Sequence, residues 1–129
     1  MNFIKKLFGT TAEVKDTKLL PWIVLNSLDQ LSEIEAKSIT KTQVIFKHST
    51  RCGISRMVLS QFEKDFDALS TNLDLHFLDL LNHRDISNAI AERFNVVHES
   101  PQLLIIKNGT AVVNASHGSI NDLKLHQYA

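Results

Sequence analysis

The stretch QLLIIKNGTAVVNAS, residues 102–116, sets apolar runs on either side of Asn108-Gly109. Asn-Gly readily takes the positive φ angles of a two-residue turn, so the runs are expected to fold back on each other as an antiparallel hairpin. Upstream the pattern is of another kind. Val44, Ile45 and Phe46 form a short continuous apolar run that suits a strand buried on both faces. Ile54, Met57, Val58, Phe62, Phe66 and Leu69 then recur at steps of three and four, the apolar face of an amphipathic helix. Leu73, Leu75 and Phe77 alternate with Asp74 and His76 as in a strand. Asn82 stands as a cap before a helix whose apolar face is Ile86, Ala89, Ile90 and Phe94.

The flanks complete the plan. Ser27 and Gln30 have the spacing of a capping box ahead of Leu28, Leu31 and Ile34, and Ser119 and Asp122 can cap a last short helix carrying Ile120 and Leu123. The resulting order, α-β-α-β-α-β-β-α, combines a crossover βαβ unit with a hairpin. It predicts an α/β protein with one mixed central sheet and helices on both faces, the plan of the thioredoxin-like fold. Residues 20–129 are read as that domain and residues 1–19 as a flexible N-terminal tail, since MNFIKKLFGTT lacks the apolar core of a signal peptide and is too short to cross a bilayer.

Composition removes several function classes. With 14 Lys plus Arg against 14 Asp plus Glu, and no local basic patch, the chain is not expected to bind nucleic acid; no membrane association is expected either, and a monomer is anticipated. Its one cysteine cannot form an intramolecular disulfide, which fits a reducing cytoplasmic setting better than a secretory one.

That cysteine is Cys52, in HSTRCGIS, at the junction between the buried strand and the amphipathic helix. A thiolate attacks sulfur and a thiol does not, and the orphan N–H groups and positive dipole end of a helix N-terminus favour the thiolate. Ser55 occupies the place of the second cysteine in a Cys-x-x-Cys site, where its hydroxyl is expected to donate to the sulfur without being able to form a disulfide. Cys52 and Ser55 are therefore the candidate catalytic residues of a one-thiol chemistry. Thr50, Arg51 and Gly53 line the turn as candidate substrate contacts, and Arg56 adds positive potential. His48, four residues before Cys52, is a candidate modulator of the thiol. No third or fourth ligand stands at a recognised spacing, so no metal is expected. The remaining histidines, and Glu63, Asp65 and Asp67 on the long helix, are given no role. Ser100-Pro101 precedes the apolar run of the hairpin; a cis bond there would turn the Ser100 backbone outward to pair with an extended substrate.

The segment FNVVHESPQLLIIKNGTAVVNASHGSI resembles the C-terminal half of thioredoxins, with Pro101 at that family's cis-proline. VIFKHSTRCGISRMVLSQFE, with LPW upstream, looks more narrowly like the YtxJ family, the monothiol bacilliredoxins; the similarity runs from about Leu20 onward, and Gly53 stands where some relatives have proline, a change expected to loosen the turn. Arg51 replaces thioredoxin's tryptophan, so general dithiol reduction is not implied. The resemblance implies removal of bacillithiol from protein mixed disulfides, through a bacillithiol adduct on Cys52 that a second low-molecular-weight thiol resolves. Bacillithiol is then a co-substrate, bacillithiolated proteins are the partners, and no cofactor is bound. Two alternatives remain at this point. Cys-Gly-Ile-Ser also looks like the Cys-Gly-Phe-Ser of monothiol glutaredoxins, which implies an iron-sulfur cluster carrier, although HESP lacks their Thr-Val-Pro. The other is a redox-inert binding module on the same fold.

Overall fold

The computed structural model describes residues 20–67 and 72–129. Along the chain these form β1 (Trp22–Val24), α1 (Asp29–Lys37), β2 (Thr42–His48), α2 (Gly53–Asp65), β3 (Leu73–Asp79), α3 (Arg84–Arg93), β4 (Gln102–Lys107) and β5 (Thr110–Ser116), followed by 3-10 turns at His117–Asp122 and Leu125–Gln127. The sequence-predicted tail and Leu69 lie outside the described residues.

The strands make one mixed sheet in the order β1-β3-β2-β4-β5. β2 is parallel to β3 on one side and antiparallel to β4 on the other, so the expected crossover and hairpin meet on one central strand. Asn108 and Gly109 take φ angles of 52° and 78°, the left-handed values the two-residue turn requires. Beyond them β4 and β5 pair antiparallel, with a register irregularity at Ile105/Ile106.

Every residue of β2 is buried because both faces of the sheet are covered. Ile45, with Leu78, Leu104 and Ile106, packs against Leu31 and Ile34 of α1 and Ile86, Ile90 and Phe94 in and just after α3. Val44 and Phe46, with Leu75, Leu103 and Ile105, pack on the other side against Val58, Phe62 and Phe66 and the C-terminal Ile120 and Leu125. Burial of apolar side chains on two faces of a shared strand is what fixes its register, since a slip of one residue would exchange the two sets.

Several local expectations are corrected. The sheet gains β1, whose pairing with β3 is parallel, from Trp22 with Leu75 to Val24 with Phe77. Ile54 and Met57 do not join the buried face of α2; they are 54% and 73% exposed, because that face runs through Ser55, Val58 and Phe62 and both side chains lie round the helix from it. Asn82 does not cap α3; its amide donates to Asp79 Oδ2 at 2.7 Å, and His83 takes the cap position without a capping side chain. His76 faces the interior rather than solvent, its Nε2 2.8 Å from Gln43 Oε1. Glu63 is engaged too, its Oε2 accepting from the indole of Trp22 at 3.1 Å. The final helix is a 3-10 turn preceded by Ser116, and neither Ser119 nor Asp122 caps it. Half of the capping box forms: Gln30 Oε1 accepts from the Ser27 N–H at 2.9 Å, but Ser27 Oγ accepts from the Asp29 N–H at 3.2 Å instead of from Gln30, and the cap position falls on Leu28.

Candidate active site

β2 delivers the chain to the site and α2 carries it away. Between them, Ser49 to Cys52 close a turn in which the Cys52 N–H donates to the Ser49 carbonyl at 3.2 Å. Cys52 is itself the N-cap residue of α2, with extended φ and ψ of −105° and 119°, and its carbonyl accepts the first helical bond from Arg56 at 3.1 Å. Its side chain makes no capping bond, and the thiol is free and half-buried. The sulfur therefore stands at the N-terminal end of α2, beside the orphan N–H groups of its first turn and with solvent access for a disulfide partner.

Ser55 is placed differently from expectation. It is fully buried, its Oγ accepts from the Ser49 N–H at 3.1 Å and lies 2.8 Å from His48 Nδ1, and no hydrogen bond joins it to the Cys52 sulfur. The hydroxyl braces the turn against the end of β2 instead of meeting the thiol. The Ser55 hydroxyl thus joins the Ser49 backbone to the His48 ring through two hydrogen bonds. Burial holds the His48 pKa below its ordinary value; Asp79 opposes that shift, Arg56 adds to it and Glu63 opposes it. The ring packs 5.5 Å from Phe77, and His48 is level with Asp79 in the parallel pairing of β2 and β3. His48 thus reaches the turn through Ser55.

Thr50, Arg51, Gly53 and Arg56 are exposed around the sulfur. Arg56 folds back so that Nη1 donates to the Thr50 carbonyl at 3.0 Å, strapping the turn from outside as Ser55 does from inside. Gly53, the first helical residue, needs no unusual backbone: its φ is not positive, and a Cβ there would find only Arg56 Nη2 at 3.8 Å.

The Ser100-Pro101 peptide is cis. β2 and β4 pair in register up to Lys47 with Gln102, and one step further along stand His48 and Pro101, so the segment before β4 flanks the Cys52 turn. Pro101 is buried and its carbonyl accepts from the His117 N–H at 3.0 Å.

Sequence reasoning passed over a second polar group at this end of the sheet. Lys47, between Phe46 and His48, is wholly buried on the α3 side, where Nζ lies 3.0 Å from His98 Nδ1 and donates to Gln102 Oε1 at 3.3 Å. Burial lowers its pKa to about 8. A lysine directly after the apolar run Val44 to Phe46 of the central strand was the available signal. Among the described residues, no group of three or more His, Cys, Asp or Glu side chains is arranged to hold a metal ion, and no helix is long and apolar enough to cross a membrane.

A parallel-plus-antiparallel sheet, a thiol at the start of the helix after its central strand, and a cis-proline beside it define a thiol-redox protein of the thioredoxin-fold oxidoreductase class. Residues 23–125 match the family described as monothiol bacilliredoxin BrxC, and the chain belongs to that family. Among solved structures, it is similar to a candidate oxidoreductase with a thioredoxin fold, at 37% identity over 78% of this chain and 86% of that one, with a TM-score of 0.67. Thioredoxin of Malassezia sympodialis (23% identity, 78% and 82% covered, TM-score 0.58) and thioredoxin f of spinach chloroplast (14%, 78% and 85%, 0.59) share the fold.

Proposed function

We propose that the protein removes bacillithiol, or a similar low-molecular-weight thiol, from mixed disulfides on client proteins in the cytoplasm. The Cys52 thiolate attacks the bacillithiol sulfur, the client's S–S bond breaks, and the client leaves as a thiolate that takes a proton from solvent. A Cys52-bacillithiol disulfide remains. A second low-molecular-weight thiolate attacks its bacillithiol sulfur, regenerating the Cys52 thiolate and forming a small-molecule disulfide, so the reduction of the client sulfur is balanced by oxidation of the resolving thiol while the bacillithiol sulfur stays at the disulfide level. The observation that carries this reading is the division of labour between Cys52 and Ser55. The half-buried thiol is the chain's one cysteine, and the residue three positions on is a buried hydroxyl committed to His48 and Ser49. No internal thiol resolves the adduct, so resolution falls to an external one.

Thr50, Arg51 and Gly53 form the rim on which the adduct would rest, and Ser100 and Pro101 flank the client's approach. The test is release of bacillithiol from a labelled client: the parent protein releases it, and Cys52→Ala does not. Release by Cys52→Ala at the parental rate would refute the mechanism.

A further inference from the structure

The segment that leads into Pro101 is held in an unusual way. Val97, His98 and Glu99 are exposed and belong to no helix or strand, yet all are fastened to groups beneath them. Gln102, 1% exposed, donates from Nε2 to the Val97 carbonyl at 2.9 Å, and its Oε1 accepts from the Glu99 N–H at 3.4 Å. The same Oε1 accepts from Lys47 Nζ, which also meets His98 Nδ1, and Ser87 Oγ lies 3.3 Å from that ring nitrogen.

Among the described residues, no carboxylate stands within ion-pair distance of Lys47. A buried ammonium without a counter-ion is costly unless its donors are used. Here one contact reaches the loop at His98 and another goes to Gln102 of β4, whose amide in turn holds the loop at Val97 and Glu99, so Lys47 and Gln102 set the loop's path as a unit. Lys47 also immediately precedes His48 on β2, so this tether and the His48–Ser55 brace spring from adjacent residues and emerge on opposite faces of the sheet.

The geometry points to Lys47, acting through Gln102 and His98, as a positioning residue that fixes the Val97–Pro101 segment for docking an extended client beside Cys52. This rests on the proposed thiol exchange at Cys52, and it assigns client selection to a residue that never touches the sulfur. Disturbing the tether should weaken the capture of polypeptide disulfides and leave the chemistry at the thiol intact.

The experiment compares Cys52 in the full chain reacting with two probes: the small disulfide dithiodipyridine, and an extended peptide carrying a thiopyridyl-activated cysteine. In Lys47→Met the peptide reaction is expected to slow about ten-fold, through a raised half-saturation concentration, while the small-disulfide rate stays within about two-fold. His98→Ala, at an exposed position with little risk to folding, is expected to move the same way. His98→Asn, whose Oδ1 can accept where Nδ1 does, is expected to recover most of the loss. Equal slowing of both probes, or an unchanged peptide reaction in His98→Ala, would overturn the positioning role while leaving thiol exchange standing. A parental thiol inert to both probes would overturn the two together.

Discussion

Ser55 Oγ lies 2.8 Å from His48 Nδ1 and also accepts the Ser49 N–H, so the residue in the second position of the Cys-x-x-Ser motif is a brace and makes no hydrogen bond to the sulfur. The turn that carries Cys52 is thereby tied to the last residue of the central strand. Arg56 ties it again from outside, through the Thr50 carbonyl.

Ser55→Ala therefore tests bracing. The substitution leaves the buried Ser49 N–H and His48 Nδ1 without their partner, a loss of about 1–3 kcal/mol in stability. Chemical denaturation measures it. A variant as stable as the parent would show that the brace carries no weight.

Gly53→Pro is expected to stabilise. Position 53 opens α2, where proline's missing N–H costs nothing, and Cys52 before it is already in the extended region that a following proline requires. Loss of unfolded-state freedom predicts a gain of about 0.4–1 kcal/mol, read as a higher melting temperature. The expected loosening of the turn by Gly53 thus belongs to the unfolded chain; in the folded turn a Cβ at this position meets only Arg56 Nη2, at 3.8 Å.

The structure makes part of the sequence's logic visible and shows where it stops. Val44 to Phe46 and Asn108-Gly109 are local signals of strand and turn, and they were sufficient for the mixed sheet. β1 was not legible, because Trp22–Val24 is short and its reason for being a strand is a distant partner, β3. Steps of three and four grouped Ile54 and Met57 with Val58 and Phe62, whereas the buried face is centred on a polar residue, Ser55, that an apolar pattern does not mark. Cys52 at a helix start could be read from spacing. The commitments of Ser55 to His48, and of Lys47 to His98 and Gln102, are contacts between separate elements, and no spacing encodes them.

Burial of Lys47 makes stability depend on alkaline pH. Its pKa falls from 10.5 unfolded to about 8 folded, so the buried charge penalises folding fully below pH 8, and the penalty disappears as pH rises to 10.5. Relative to Lys47→Met, the parent is expected to gain up to about 3 kcal/mol across that window. Denaturant midpoints at matched pH measure the difference, and parallel profiles would count against a buried ammonium.

His76 has the corresponding effect in acid. It is buried with Nδ1 unpartnered, and burial lowers its pKa to about 4, so stability is fully present above pH 6.5 and is lost as pH falls through 4. Replacement by Gln is expected to flatten this fall by up to about 3 kcal/mol. An unchanged acid limb in His76→Gln would place the sensitivity elsewhere.

Under the proposed function, Cys52 accepts a small thiol and, without an internal partner, keeps it. Intact mass after exposure to oxidised bacillithiol, before and after addition of a second low-molecular-weight thiol, tests this most directly. The expected result is a single bacillithiol adduct localised to Cys52, absent in Cys52→Ala, stable on its own and lost when the second thiol is added. A parent protein that remains unmodified under these conditions would contradict it.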